Sequence, residues 1–317
     1  MKILVTGGAG FIGSNFIRYM LSTRPDCKII NLDKLTYAGN LANLKDVERN
    51  ANYTLIKGDI CDKVVVEKVV AGADGIINFA AETHVDRSIT GPEDFVRTDI
   101  LGTFTLLEAA KKFGVKKYVQ ISTDEVYGST ESGSFKETDP LKPSSPYSAS
   151  KAGADMLALS YFTTYGLSVV VTRSSNNFGP YQYPEKLIPV LITKAMKGEP
   201  LPIYGDGKNV RDWLYVLDNC RAIDLAFQKG RDGEIYNIGG GHEKQNIEIA
   251  KMILKQLGKP ESLLTFVKDR PGHDRRYSID CSKLKALGWR PTADFDKTLR
   301  ETVDWYVKNE WFWKNQT

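Results

Sequence analysis

The chain contains 317 residues, of which 42% are hydrophobic and 26% are charged. Its basic and acidic residues are interspersed and its net charge is only +4, which argues against a nucleic-acid-binding surface. Its four cysteines lack paired spacing, so we expect neither a disulfide framework nor a metal site. No apolar run reaches the roughly 18 residues that a membrane span needs, and the first strand starts at residue 2 without room for a leader, so we expect a cytoplasmic protein with no membrane partner.

The first predicted element is an apolar strand, Lys2–Thr6, which leads into a glycine-rich turn and an amphipathic helix. Gly7, Gly10 and Gly13 let the backbone turn tightly and approach a pyrophosphate. The pyrophosphate would then lie on the free amide groups at the start of the helix. Because strand, glycines and helix follow in this order, the pattern predicts a dinucleotide-binding site.

A second predicted strand, residues 29–32, is followed by Asp33, which stands 20 residues after Gly13. A carboxylate at this place accepts hydrogen bonds from the adenosine ribose and repels a 2′-phosphate. We therefore expect NAD as the cofactor rather than NADP, although the positive charge of the neighbouring Lys34 works against this preference.

Strand and helix patterns then alternate along the chain. Further strands are predicted at 53–57, 75–79, 117–121 and 168–173, and helices at 64–70, 95–113 and 148–165. This alternation predicts an α/β fold with a doubly wound parallel sheet, the NAD-binding Rossmann type. We assign residues 1–175 to that domain and 176–317 mainly to a smaller mixed α/β substrate-binding lobe, interwoven with the first.

The most informative residues follow the fifth predicted strand, where ligands collect in such sheets. Thr123 supplies a hydroxyl there, and Asp124 and Glu125 supply two adjacent carboxylates. Successive residues of a strand face opposite ways, so both carboxylates can reach one ligand only if the strand ends at Thr123. Two crowded carboxyl groups also raise each other's proton affinity, which favours a protonated Asp124.

Tyr147 and Lys151 lie four residues apart in a predicted helix and therefore on one face. A nearby ammonium favours the phenolate form, so Tyr147 could act as a base at neutral pH. Oxidation at carbon needs one base and a nicotinamide. The additional acid and base at Asp124 and Glu125 therefore indicate a second step, such as loss of water.

These motifs resemble those of the extended short-chain dehydrogenases/reductases, and within them the dTDP-glucose 4,6-dehydratases. The similar segments are 7–13, 33–40, 81–89, 122–128, 176–182 and 270–277. The resemblance implies oxidation of dTDP-glucose at C4 by bound NAD, loss of water across C5 and C6, and return of the hydride to C6. It implies that Tyr147 is the base at the 4-hydroxyl, that Glu125 takes the C5 proton, and that Asp124 protonates the departing 6-hydroxyl.

The resemblance also implies the binding residues and a homodimer packed through the helices at 101–113 and 152–165. The NAD-binding residues would be Gly7, Gly10, Phe11, Ile12, Gly13, Asp33, Lys34, Thr36, Asp59, Ile60, Ala80, Ala81, Thr98, Tyr147, Lys151 and Asn177. The substrate-binding residues would be Thr83, His84, Thr123, Asn176, Lys186, Pro202, Tyr204, Arg211, Asn246, Arg270, His273 and Tyr277.

Two alternatives stay open from the sequence. A nucleotide-sugar 4-epimerase shares Tyr147 and Lys151 but has no use for the pair Asp124 and Glu125. A non-catalytic NAD-binding protein would be expected to lose at least one of Thr123, Tyr147 and Lys151, and all three are present.

Overall fold

The computed structural model describes residues 1–269 and 272–314, in which strands and helices alternate over the first half. The strands are β1 (Lys2–Thr6), β2 (Lys28–Asp33), β3 (Tyr53–Lys57), β4 (Gly75–Asn78), β5 (Lys117–Thr123), β6 (Val169–Ser174), β7 (Asn176–Phe178), β8 (Leu201–Tyr204), β9 (Val210–Tyr215), β10 (Glu234–Ile238), β11 (Glu243–Gln245) and β12 (Leu264–Val267). The α-helices are α1 (Phe11–Thr23), α2 (Lys63–Val70), α3 (Val85–Thr90), α4 (Glu93–Phe95), α5 (Thr103–Phe113), α6 (Pro146–Tyr165), α7 (Leu187–Lys197), α8 (Val216–Lys229), α9 (Asn246–Gln256), α10 (Ser282–Ala286), α11 (Phe295–Lys308) and α12 (Glu310–Lys314).

Seven parallel strands form the main sheet in the order β10, β6, β5, β4, β1, β2, β3. The chain runs outward from β1 in both directions, so a crevice opens at the carboxyl ends of β1 and β4. The predicted doubly wound α/β fold is therefore confirmed. The edge strand β10 belongs to the second half of the chain. It was not predicted, because its five residues carry only three apolar side chains and no strong strand pattern.

Apolar side chains cover both faces of this sheet. Ile3 and Val5 of β1 belong to the core cluster that contains α1 and α8, whereas Leu4 belongs to the cluster that contains α2, α5 and α6. The two clusters lie on opposite faces because successive strand residues alternate in direction. Both faces of β1 are buried, as a parallel sheet between two helical layers requires.

A second, smaller core lies among β7, β8, β9, α7, α9 and α11. Its members include Phe178, Leu191, Trp213, Ile253 and Val303. Two small sheets accompany it, one of β11, β9 and β7 and one of β12 and β8. This part of the molecule lies over the carboxyl end of the main sheet, because β7 follows β6 after one residue.

The predicted helical segment 95–113 is confirmed, although it is not one regular α-helix. A π-helix, Val96–Gly102, separates α4 from α5. A π-helix shifts the side chains that follow it around the helix axis, and such segments often occur at functional sites. Across the part of the chain that the structure describes, no helix is both long and apolar enough to span a bilayer.

Candidate active site

An open cleft lies at the carboxyl ends of the central strands. Its lining runs from the glycine turn after β1 to the residues that follow β5 and β7, so one cleft connects the predicted cofactor site with the predicted catalytic residues. All sixteen residues predicted to bind NAD line it, and so do the five predicted catalytic residues. From the predicted substrate set it contains Thr83, Thr123, Asn176 and Lys186.

The glycine turn has the close packing that a pyrophosphate cradle needs. Gly7 has φ +66°, and a Cβ there would lie 2.7 Å from the backbone nitrogen of Ala80. A Cβ on Gly13 would lie 2.5 Å from the carbonyl oxygen of Gly7. Because side chains fit at neither position, the turn keeps its backbone open to the cleft, and these residues fit a dinucleotide.

The end of β2 favours NAD over NADP. Asp33 accepts hydrogen bonds from the backbone amides of Ala9 and Leu35, both at 2.8 Å, and these bonds fix its carboxylate at the cleft. Burial raises the pKa of Asp33 and these amides lower it. The ammonium of Lys34 lies 2.9 Å from the carboxylate of Asp59, so its charge is already paired. This pairing reduces the attraction of Lys34 for a 2′-phosphate, which the sequence suggested would work against the preference for NAD.

Strand β5 ends at Thr123, two residues beyond the predicted strand 117–121 and at the place that the chemistry of two adjacent carboxylates requires. The hydroxyl oxygen of Thr123 accepts the backbone N–H of Glu125 at 3.2 Å and so caps a 3₁₀ helix, Asp124–Tyr127. Gly128, with φ +82°, ends this turn. The two carboxylates therefore lie on a helical turn rather than on a strand, and both line the same cleft.

Asp124 is buried and its electrostatic environment is acidic. Burial raises its pKa well above the usual value, and Glu125 and Asp212 raise it further, while Arg211 acts in the opposite direction. One carboxyl oxygen of Asp124 is 3.3 Å from the hydroxyl of Thr123. The other is buried without a hydrogen-bond partner among the described residues. The protonated form of Asp124 is thus favoured, and one of its oxygens is available to a ligand.

Helix α6 fixes the Tyr147 and Lys151 pair. Ser145 caps its first turn together with Ser148, and Pro146 occupies the first helical position. Lys151 is buried and donates a hydrogen bond from its ammonium to the carbonyl of Ile121 at 2.6 Å. That bond ties α6 to the strand whose end carries the carboxylates.

The pKa of Tyr147 differs from the sequence expectation. Burial raises it well above the usual value, followed by the charges of Glu125 and Asp99, while a hydrogen bond with Thr123 lowers it. The sequence suggested a lowered pKa because of Lys151, but burial, together with the carboxylates of Glu125, Asp99 and Asp124, raises it. The protein by itself therefore holds Tyr147 as a neutral phenol, and added positive charge in the cleft is needed to form the phenolate.

Asp99 is a residue of the site that sequence reasoning missed. It lies on the π-helix, accepts the hydroxyl of Ser150 at 2.6 Å and the backbone N–H of Glu82 at 3.0 Å, and is buried. Burial raises its pKa to about 6, and the charge of Lys151 partly offsets this effect. The signal that could have identified it is an acidic residue within an otherwise amphipathic helix next to Thr98.

The remaining predicted substrate residues lie outside the cleft lining. His84 caps α3 by accepting the backbone N–H of Arg87, at 3.3 Å. Arg211 lies over the ring of Tyr277 at 4.2 Å and donates to the carbonyl of Asp274 at 2.9 Å. The rings of Tyr204 and His273 are 6.2 Å apart.

Pro202 is on β8, beside Tyr204, and the side-chain oxygen of Asn246 at the start of α9 is buried without a hydrogen-bond partner in the described part of the chain. The side-chain oxygen of Asn176, which lines the cleft, has none there either. Arg270 lies outside the described residues. Among residues 1–269 and 272–314, no group of three or more His, Cys, Asp or Glu side chains is placed to hold a metal ion.

Comparison with known proteins agrees with this geometry. The sequence model of the family described as GDP-mannose 4,6 dehydratase matches residues 4–302. The chain is 50% identical to a dTDP-glucose 4,6-dehydratase of Actinoplanes sp., a match that covers 99% of this chain and 100% of the relative. It is 53% identical to the low-salt glycan biosynthesis protein Agl12 of Haloferax volcanii, over 98% and 100% of the two chains.

Solved structures give the same result. DesIV of Streptomyces venezuelae, a dTDP-glucose 4,6-dehydratase solved with NAD and dTDP bound, superposes with a TM-score of 0.98 at 50% identity. The match covers 100% of both chains.

Proposed function

Because the chain belongs to the GDP-mannose 4,6 dehydratase family, we propose that its cleft binds NAD and dTDP-glucose and removes water from the sugar. The protein is an NAD-using hydro-lyase that converts dTDP-glucose to dTDP-4-keto-6-deoxyglucose. The observation that carries the proposal is the capped turn after β5, which brings a buried neutral acid and a second carboxylate into the cleft that Tyr147 also lines.

The first step concerns the 4-hydroxyl of the sugar. Tyr147, once ionised, takes its proton, and the Thr123 hydroxyl holds the same oxygen by a hydrogen bond. Lys151 stabilises the ionised phenol. Its hydrogen bond to the carbonyl of Ile121 holds the ammonium against β5. NAD, when bound, supplies the hydride acceptor for C4 and the hydride donor for C6.

The second step uses the carboxylates. A 4-ketone makes the C5 proton acidic, and Glu125 removes it as the general base. Asp124 gives its proton to the departing 6-hydroxyl, which leaves as water. The raised pKa of Asp124 is what this role requires, since an ionised carboxylate has no proton to give. Glu125 then returns a proton to C5.

The same geometry argues against the two alternatives. An epimerase needs the phenol and the lysine, but it gains nothing from a buried acid that raises the pKa of its own base. In a non-catalytic NAD-binding protein, the burial of the Asp124 carboxyl group would cost stability without serving any reaction. We therefore assign catalysis to Thr123, Asp124, Glu125, Tyr147 and Lys151.

Incubation of the protein with dTDP-glucose in deuterated water tests the assignment. We expect loss of water, deuterium at C5 and no net change in the NAD redox state, measured by mass spectrometry and NMR. Formation of dTDP-galactose would instead identify an epimerase, and unchanged substrate a binding protein.

We also propose a cytoplasmic homodimer. Helices α5 and α6 expose the apolar residues Phe104, Phe113, Met156 and Phe162, each 37–48% accessible, and exposed apolar groups on these two helices favour a second copy as their partner. The cysteines form no disulfide within the described residues, which suits a reducing compartment. Light scattering of wild type and of Phe104→Asp tests the dimer, and the variant should be monomeric.

A further inference from the structure

Three loops from separate parts of the chain meet at the cleft. They follow β2 (residues 34–40), β4 (79–84) and β7 (179–186), and each contributes to the cleft lining. The side chains of Tyr37, Arg87 and Glu185 join them, and we call these three residues the clasp. Tyr37 and Glu185 line the cleft directly, and Arg87 lies on α3, just after the second loop.

The clasp contacts are specific. The Tyr37 hydroxyl donates a hydrogen bond to Oε1 of Glu185 at 3.1 Å, across 148 residues of sequence. The guanidinium carbon of Arg87 lies 3.7 Å from the centre of the Tyr37 ring, within the range of a cation–π interaction. The ring of Tyr183 packs edge-on against the same ring at 5.5 Å. Burial and the charge of Glu185 both raise the pKa of Tyr37, so this phenol stays a neutral donor.

Backbone strain occurs in the same two loops that the Tyr37–Glu185 bond joins. Leu35, with φ +57°, and Tyr181, with φ +68°, are the non-glycine residues with positive φ in the described chain. Such a conformation costs about 1–3 kcal/mol and persists only where surrounding contacts enforce it. Both loops are therefore held in one conformation by their contacts at the cleft.

The third loop is anchored independently of the clasp. Asn15 on α1 donates to the carbonyl of Pro180 at 3.0 Å, and Arg18 lies over the ring of Tyr181 at 3.9 Å. The ring of Tyr181 also packs 4.7 Å from that of Trp305 on α11. Side-chain contacts from α1 and α11 thus anchor the first part of the loop 179–186 independently of the Tyr37–Glu185 bond.

We propose that Tyr37, Arg87 and Glu185 hold the bound dinucleotide in the cleft between turnovers, so that NAD leaves only when the loop after β2 separates from the loop after β7. The inference rests on the proposed function in one respect, which is the identity of NAD. The reaction regenerates NAD within each cycle, so the enzyme has no need to exchange it. A cofactor cleft bridged by a hydrogen bond and a stacked cation suits such a cycle.

The clasp is assigned to the dinucleotide because of its neighbours in sequence. Tyr37 is on the loop that begins at Asp33 and Lys34, which face the adenosine part of the cleft, and this loop also contains Thr36. Gly39 packs tightly under Asp33, since a Cβ on Gly39 would lie 2.8 Å from the Asp33 carboxylate. The loop that carries Tyr37 therefore packs against the carboxylate that we expect to receive the ribose.

The dissociation of NAD from the purified holoenzyme, in the absence of any sugar nucleotide, tests the proposal. Release is followed by trapping with excess 3-acetylpyridine adenine dinucleotide and by measuring the NAD that stays with the protein after rapid gel filtration. Loss of one hydrogen bond in Tyr37→Phe should raise the dissociation rate about three- to tenfold. Tyr37→Ala also removes the ring under Arg87 and should raise it about tenfold further.

Tyr19→Phe is the matched control. Its phenol also donates to a carboxylate, that of Asp224 at 3.3 Å, but neither residue lines the cleft. Glu185→Gln gives a second route, because it keeps an acceptor for Tyr37 and removes the charge, so NAD release should rise less than in Tyr37→Phe. Thermal denaturation of each variant checks folding.

A dissociation rate in Tyr37→Phe and Tyr37→Ala equal to that of Tyr19→Phe would overturn the proposal. So would unchanged NAD release combined with a tenfold weaker binding of dTDP-glucose, since the clasp would then hold the sugar nucleotide. Because the measurement needs no turnover, it is independent of the product assay that tests dehydration by the wild-type protein.

Discussion

Replacement of Asp124 by asparagine should slow elimination and, at neutral pH, stabilise the fold. The amide keeps the shape of the carboxyl group but has no proton to give to the 6-hydroxyl. Loss of a general acid typically slows a reaction about 10²- to 10⁴-fold, which corresponds to about 3–5 kcal/mol in the activation free energy. Oxidation at C4 precedes this step, so single-turnover absorbance should show NADH formed and retained.

The effect on stability follows from the raised pKa of Asp124. A raised native pKa means that the group favours the folded state below the unfolded pKa of about 3.9, and that this contribution is lost as pH rises towards the native pKa. Each unit by which the native pKa exceeds the unfolded one lowers the wild-type free energy of unfolding by about 1.4 kcal/mol at high pH. Asparagine does not titrate, so the free energy of unfolding of the variant should rise relative to that of wild type as the pH increases above about 4.

Chemical denaturation at a series of pH values measures this difference. Asp206→Asn is the control of opposite sign, because Arg275 lowers the pKa of Asp206 and that carboxylate is exposed. The free energy of unfolding of Asp206→Asn should fall slightly relative to that of wild type as the pH rises. If Asp124→Asn dehydrates dTDP-glucose at the parent rate, or if its stability advantage does not grow with pH, Asp124 is not the protonated acid assigned here.

Three further outcomes are expected. Glu125→Gln should still oxidise C4 and accumulate bound NADH, with elimination slowed about 10²-fold or more, as rapid-quench product analysis will show; dehydration at the wild-type rate would remove Glu125 from its role. Asp99→Asn keeps an acceptor for the Glu82 amide but removes one of the charges that raise the pKa of Tyr147. The acid limb of the pH profile for C4 oxidation, measured by stopped flow, should therefore shift to lower pH. An unshifted limb would contradict the electrostatic assignment. Gly13→Ala would place a Cβ 2.5 Å from the Gly7 carbonyl oxygen and should abolish NAD retention in gel filtration. Gly91→Ala serves as a fold control, because φ there is −147° and the nearest heavy atom to its Cβ would be the Arg87 carbonyl oxygen at 3.9 Å.

Much of the site could be predicted because its residues follow short, regular elements. The glycine turn and Asp33 come directly after β1 and β2, and their spacing alone brings them to one edge of the sheet. The predicted strand 117–121 stopped two residues short of β5, but chemistry supplied the condition that the strand must end at Thr123 for two adjacent carboxylates to reach one ligand, and the structure meets it. Such predictions succeed where local geometry decides the outcome.

Other features depend on contacts that no local pattern encodes. The π-helix that carries Asp99 has the composition of an ordinary helix. The sequence therefore does not indicate that Asp99 accepts hydrogen bonds from Ser150 and from the Glu82 amide. The raised pKa of Tyr147 arises first from burial and then from carboxylates on two separate segments, Glu125 and Asp124 after β5 and Asp99 on the π-helix. The Tyr37–Glu185 bond joins residues that are 148 apart in the sequence. Spacing rules do not reach across such distances.

The chemistry of the site is determined by one turn rather than by the fold. The sheet, the glycine turn and the Tyr147 helix suffice for oxidation and reduction at C4, and they provide no means to expel a hydroxyl. A regular continuation of β5 would turn Asp124 and Glu125 to opposite faces. The cap from Thr123 to the Glu125 amide ends the strand instead and brings both carboxylates into one cleft. There, burial and then the proximity of Glu125 raise the pKa of Asp124, which favours the protonated acid that elimination requires. The same proximity also raises the pKa of Tyr147, which links ionisation of the phenol to the arrival of positive charge. The base at C4 and the acid at C6 are therefore set by a single cluster of carboxylates.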